Sequence, residues 1–220
     1  MKRIAAVLIC AVLLISVCAC GNEQKKVTSY EEVIIKLDEA VHGMFADDFE
    51  DKLKEGAYPS PTGELSDKWL TTLLDAQKDF PNVDENAFGY RMIDLNSDGI
   101  SELFFMRSDE RVLAIFTMYE GKPCMVDCYS RSYRGIIRDT GEIYTMTVRD
   151  DGGYDYKIYT LNPESGGMYN TVSFGYEGAI AYEQIDGSVY TTSNDRITEL
   201  TTSYPFEMSE MFTSVEFKLF

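Results

Sequence analysis

The spacing of apolar residues divides the chain into a helical part and a longer strand-rich part. Across residues 28–56, TSYEEVIIKLDEAVHGMFADDFEDKLKEG, the side chains of Val33, Leu37, Val41, Met44, Phe45, Phe49 and Leu53 return at helical intervals. That period predicts one amphipathic helix. Ser29 with Glu32 three residues later is a capping-box pattern, and Gly56 supplies a stop. After the turn-rich YPSPTGE, a second short helix is expected, capped by Ser66, with Trp69, Leu70, Leu73 and Leu74 on one face and Pro81 beyond its end.

From Ala87 the period changes. AFGYRMI, ELFFMR, VLAIFTMY, EIYTMTV and YDYKIYTL are rich in aromatic and β-branched residues, and NSDG, SDER, EGKP, DTGE, DDGG, NPESGG and DGS punctuate them as turns. Gaps this short leave no room for crossover helices, so the strands are expected to run antiparallel. The last 28 residues, 193–220, predict a short helix and a closing strand through Val215, Phe217 and Leu219. The fold class that follows is α+β: two N-terminal helices packed on a twisted antiparallel β-meander, barrel-like or open. It forms one domain, with residues 28–80 helical, 87–192 the meander and 193–220 the closing helix and strand.

The chain opens MKRIAAVLICAVLLISVCACGNEQKK, with Lys2 and Arg3 ahead of an apolar run from Ile4 to Val17. This is the n-region and h-region of a secretory signal, too short for a comfortable membrane span. Val17-Cys18-Ala19-Cys20 resembles the lipobox of bacterial lipoproteins. Ala19 before Cys20 suits the processing peptidase and Val17 before Cys18 does not, so the resemblance implies a signal over residues 1–19, lipidation at Cys20 and a tether over 20–27. Cys18 inside the box is atypical, and an ordinary cleaved signal or an uncleaved anchor is the alternative. The tether spans about 20–25 Å when extended, which would keep the body near the outer face of the cell membrane.

Charge narrows the partners. The chain has 20 basic and 37 acidic residues, net −17; removing Lys2 and Arg3 with the signal leaves 18 against 37, net −19. Such a surface repels phosphate backbones and anionic headgroups, which argues against nucleic acid and leaves membrane attachment to the lipid. The cysteines beyond position 20 are Cys124 and Cys128. In an extended strand they stand about 13 Å apart, too far for a disulfide, so they are expected as free or packed thiols. The spacing of radical iron–sulfur enzymes would need a cysteine where Arg131 stands.

One stretch carries candidate ion chemistry. In DLNSDGISELFF, Asp94, Asn96 and Asp98 occupy positions one, three and five, Ile100 position seven and Glu102 position nine. Alternate side chains and the Ile100 carbonyl can surround a hard cation such as Ca2+, and Gly99 permits the sharp turn. Position twelve is Phe105, which removes the bidentate glutamate of an EF-hand. The loop resembles the calcium loops of integrin-type propeller repeats, but a single copy argues against a propeller. The competing reading is a plain hairpin whose Asp and Asn side chains bond their own backbone. An ion here would be structural, bound with a dissociation constant of order 0.1–1 mM as in extracellular modules.

FGYRMIDLNSDGISELFF, with AIFTMYEGKP and DDGGYDYKIYTLN after it, resembles the uncharacterised secreted lipoproteins of Gram-positive bacteria that carry one D-x-[DN]-x-D-G-x-x-E-L hairpin followed by a β-meander. The resemblance covers residues 87–162 and implies architecture and surface location without an activity. It implies calcium ligation by Asp94, Asn96, Asp98, Ile100 and Glu102. Asn96 and Ser97 depart from the Asp and Gly more usual there.

Catalytic signatures are scarce. His42, the sole histidine, flanks the apolar stripe of the first helix and reads as a surface residue. There is no H-E-x-x-H, G-x-S-x-G or phosphate-cradling glycine loop, and 37 acids single out no carboxylate pair. Fifteen tyrosines, among them Tyr144, Tyr154, Tyr156, Tyr159, Tyr169, Tyr176 and Tyr190, are either an aromatic face for sugars or proteins or good strand formers with a wet end. The expectation is a non-catalytic module that binds an envelope glycan or protein. A hydrolase of envelope polymers or glycans using a carboxylate pair is the alternative.

Overall fold

The structure, a computed structural model, describes residues 29–63, 67–78, 85–137, 141–162, 164–204 and 215–220. The signal segment, the tether, Cys18, Cys20, Ser66 and Pro81 lie outside the described residues.

The first expected helix is two. Helix α1 spans Glu31–Met44 and α2 spans Phe49–Lys54. α1 buries Val33, Leu37, Ala40, Val41 and Met44, whereas Phe45 leaves the helical path and is 46% exposed. A stripe advancing four residues at a time, as Leu37-Val41-Phe45-Phe49 does, drifts round a 3.6-residue helix. Breaking the helix at 45–48 resets the phase so that Phe49 and Leu53 reach the same core. The expected capping box is not formed: Ser29 Oγ accepts from the Glu31 N–H at 3.1 Å, and Tyr30 at the cap makes no side-chain cap. Gly56, at φ +80°, closes α2 as expected. Helix α3, Asp67–Lys78, buries Trp69 and Leu73 with Thr72 and Ala76, and leads through a 3-10 turn at Glu85–Ala87 to the strands.

The expected single meander is divided into two open antiparallel sheets. β1 (Phe88–Ile93), β2 (Glu102–Arg107), β3 (Val112–Tyr119) and β4 (Lys122–Cys128) form the first, with the C-terminal β11 (Lys218–Leu219) at its edge in the order β11-β1-β2-β3-β4. β5 (Tyr133–Ile137), β6 (Glu142–Val148), β7 (Tyr154–Asn162), β8 (Gly167–Glu177), β9 (Ile180–Ile185) and β10 (Ser188–Thr191) follow one another across the second. Each sheet ends in two edge strands, so neither closes into a barrel. Helix α4, Asn194–Ser203, follows β10, and the Ser193 side chain caps it by accepting from the Arg196 N–H.

Three apolar clusters define the layers. On one face of the first sheet, Phe88, Leu103, Phe105 and Phe116 meet Val33, Leu37, Trp69 and Leu73 of the helices. On its other face Phe104, Met106 and Ile115 meet Ile143 and Leu161 of the second sheet. β2 is therefore buried along its whole length, since alternate residues enter different cores. On the far face of the second sheet, Phe174 and Ala181 lie under Ile197 and Leu200 of α4. The aromatic content of the strands supplies apolar side chains for these three clusters.

Candidate functional site: the β1–β2 loop and the groove beside it

The loop joining β1 to β2 folds largely through its own side chains. Asp94 accepts from the N–H groups of Asp98 and Gly99 at 3.1 and 2.9 Å, Asn96 Oδ1 from the Asp98 N–H at 3.2 Å, and Asp98 from the Ile100 N–H at 2.8 Å. Asn96 also donates to Asp98 Oδ2 at 3.0 Å. Gly99 adopts φ +85° and Ser97 φ +60°, a left-handed conformation that glycine takes freely and serine does not.

Glu102, expected at ligand position nine, is 0% exposed. Its Oε2 accepts from the Leu95 N–H at 2.8 Å and its Oε1 from the Thr117 hydroxyl at 3.0 Å. Burial pushes its carboxyl above the usual range, against the two bonds, which pull it down. The structure thus brings Asp94, Asn96 and Asp98 together at the loop surface and bonds Glu102 inside the protein. Phe105, at position twelve, is fully buried among Trp69, Phe88 and Phe220. Among the described residues no group of three or more His, Cys, Asp or Glu side chains is gathered closely enough to hold a metal ion. The hard oxygen donors at 94, 96 and 98 suit calcium in kind, and a carboxylate oxygen that accepts one N–H retains a further lone pair.

The loop is also a junction. The Leu95 side chain enters the core between the sheets, and its carbonyl abuts Gly141 in the β5–β6 turn, where an added Cβ would stand 2.5 Å from that oxygen. On the opposite side the Tyr30 hydroxyl donates to the Ser101 carbonyl at 3.0 Å, and burial raises its phenol above the ordinary value.

Between this loop and the start of α1 runs an open groove of about 620 Å³. Ile35 from α1, Met92 from β1 and Ile100 from the loop border it, exposed by 52%, 39% and 38%. β11 pairs with β1 at Gly89 and Tyr90, and Met92 lies beyond that pairing. Among the described residues, the one charged residue lining the groove is Glu31. The exposed carboxylates of Asp94 and Asp98 continue the loop wall; Arg91, between Tyr90 and Met92 in β1, lies over the Phe217 ring, and Lys218 stands opposite Tyr90. Pattern reading marks Ile100 only for its carbonyl, and it assigns Ile35 and Met92 no role.

A second polar cluster was not legible either. The Asp127 side chain, 4% exposed, is held by Lys68, by the Tyr133 hydroxyl at 2.6 Å and by the Cys128 N–H at 2.9 Å, while Lys68 also lies over the Tyr133 ring. These contacts brace α3 against the passage from the first sheet to the second. The Cys124 thiol is half-buried and donates to the Thr117 and Gly166 carbonyls, and burial pushes Cys128 up to about 11. His42 is exposed and bonded to Asp38, as its position implied. The tyrosines form no single row. Tyr144 is buried; Tyr154, Tyr156 and Phe174 stack towards Tyr204; Tyr159 packs between the sheets; and Tyr169 and Tyr190 are exposed.

No protein family, curated protein or solved structure matches the chain. Among the described residues no helix is long and apolar enough to cross a membrane.

Proposed function

We propose that this protein is a lipid-anchored extracytoplasmic binding module. It is held on the outer face of the cell membrane through Cys20 and meets an envelope glycan or protein ligand with the groove between α1 and the β1–β2 loop. The observation that carries the reading is the clustering of Ile35, Met92 and Ile100, exposed apolar side chains from three separate elements, around one concavity. Apolar surface left open in this way marks interaction sites. Within this reading the loop is a calcium-tunable wall of the groove. Asp94, Asn96, Asp98 and the Ile100 carbonyl would hold the ion, whose role is to stiffen the hairpin, while Glu102 fixes the loop from inside through the Leu95 N–H.

The competing hydrolase would require two facing carboxylates. The groove lining has one, Glu31, and the carboxylates of Asp94 and Asp98 on the adjoining loop accept the loop's own N–H groups. Two measurements test the proposal. Cys20→Ser should abolish incorporation of a palmitate label and release the protein from the membrane fraction; unchanged fractionation sinks the anchor. Immobilised full-length protein should retain purified cell-wall glycan or an envelope protein, with retention lost in Ile35→Asp. Recovery at background level would remove the binding role.

A further inference from the structure

We infer that the groove takes a basic, amphipathic peptide segment, an inference that rests on the binding-module reading above and names its ligand class. Three features select that chemistry. The wall is apolar and adaptable: Met92 and Met118 line it beside Ile35 and Ile100, and unbranched thioethers fit irregular partners. Among the described residues the polar rim is acidic, with Glu31 in the lining and the exposed Asp94 and Asp98 on the adjoining loop, and none of the described Lys or Arg residues lines the groove. The whole chain carries net charge −17, which attracts cationic partners and repels anionic ones. A volume of about 620 Å³ suits a few side chains of a peptide rather than a broad protein face. An apolar stripe on the peptide would cover Ile35, Met92 and Ile100 while a Lys or Arg reaches Glu31 and, in the calcium-free protein, further basic residues reach Asp94 and Asp98. An anionic lipid surface has no counterpart at this rim.

Because the chain is acidic throughout, the test must separate the groove from general charge attraction. Fluorescence anisotropy at physiological salt is measured for full-length protein with a labelled Leu/Lys amphipathic peptide, a Gly/Lys peptide of equal charge, a Leu/Glu peptide of equal apolar face, and phosphatidylcholine vesicles. Ile35→Asp should weaken Leu/Lys binding by about tenfold, the worth of roughly one buried aliphatic contact, although it adds a negative charge. Val189→Asp, the same change at an exposed residue of β10, should not weaken it. Met92→Asp repeats the test should Ile35→Asp fail to fold, with circular dichroism and melting as the check. Equal or tighter Leu/Lys binding by Ile35→Asp, or equal binding of Gly/Lys, overturns the inference in favour of bulk electrostatics. Ile35-dependent binding of Leu/Glu or of the vesicles overturns the ligand class and leaves the binding groove standing. If no probe depends on Ile35, the peptide inference falls, and the groove reading falls with it when Ile35→Asp also leaves retention of cell-wall glycan and envelope protein unchanged.

Discussion

Glu102 is the residue on which the loop's energetics turn. Its folded-state pKa is raised by burial, so the native protein holds this proton more tightly than the unfolded chain. Stability from this group is therefore greatest below the ordinary carboxylate range and declines as pH rises from about 4.5 through the raised value. Glu102→Gln keeps an acceptor for Leu95 N–H and should flatten that decline, seen as a smaller pH dependence of the urea midpoint between acid and neutral pH. If the two proteins share one pH profile, Glu102 is not the titrating group. Gly141 has a different constraint, since it stands at φ +83° with the Leu95 carbonyl where a side chain would go. Gly141→Ala should cost about 1–3 kcal/mol in denaturant unfolding, whereas the same change at Gly178, positive in φ but with open space around it, should cost less.

α4 shows what an element contributes once it is placed. Arg196 makes two bonds to Glu183 of β9, at 2.8 and 3.1 Å, while Ile197 and Leu200 cover Phe174. The ion pair is partly exposed and fixes orientation more than stability. The apolar contact supplies the binding of the helix to the sheet, and Ile197→Ala should cost about 2–4 kcal/mol. The loss should appear first as faster amide exchange in β9 and β10. Uniform acceleration in β2 as well would mean that the far face is not a separable layer. α1 and α2 make the complementary point: a helical period was legible across 28–56, but the break at 45–48 was not, because an i+4 stripe satisfies the pattern until it must face a sheet.

For the whole molecule, the calcium proposal has a direct readout. Millimolar calcium should raise the melting temperature of the wild type by a few degrees, in line with weak one-site linkage, and should not raise that of Asp98→Ala. No shift in the wild type would leave the loop as a turn closed by its own Asx bonds. The two-sheet stack explains why such a shift would be global. Leu95 is held by Glu102 through its N–H, by Gly141 at its carbonyl and by the inter-sheet core at its side chain. Stiffening the hairpin therefore acts on the junction of both sheets.

The sequence alone determined the element types, the turns and the antiparallel sense, because strand alternation, Asx-glycine turns and short connections are local properties. β1, β2, β3, β6 and β7 fall where their apolar runs lie. The pairing of Asp94, Asn96 and Asp98 was legible for the same reason. Tertiary structure decided what local pattern does not encode. The strands divide into two sheets after Cys128, since both faces of β2 needed a cover. Glu102 turns from a surface ligand position to a buried bond with Leu95 and Thr117, and Ile35, Met92 and Ile100 come together from positions 35, 92 and 100. Burial and exposure are set by which distant segments arrive at a surface, as the helices and the second sheet do on the two faces of β2.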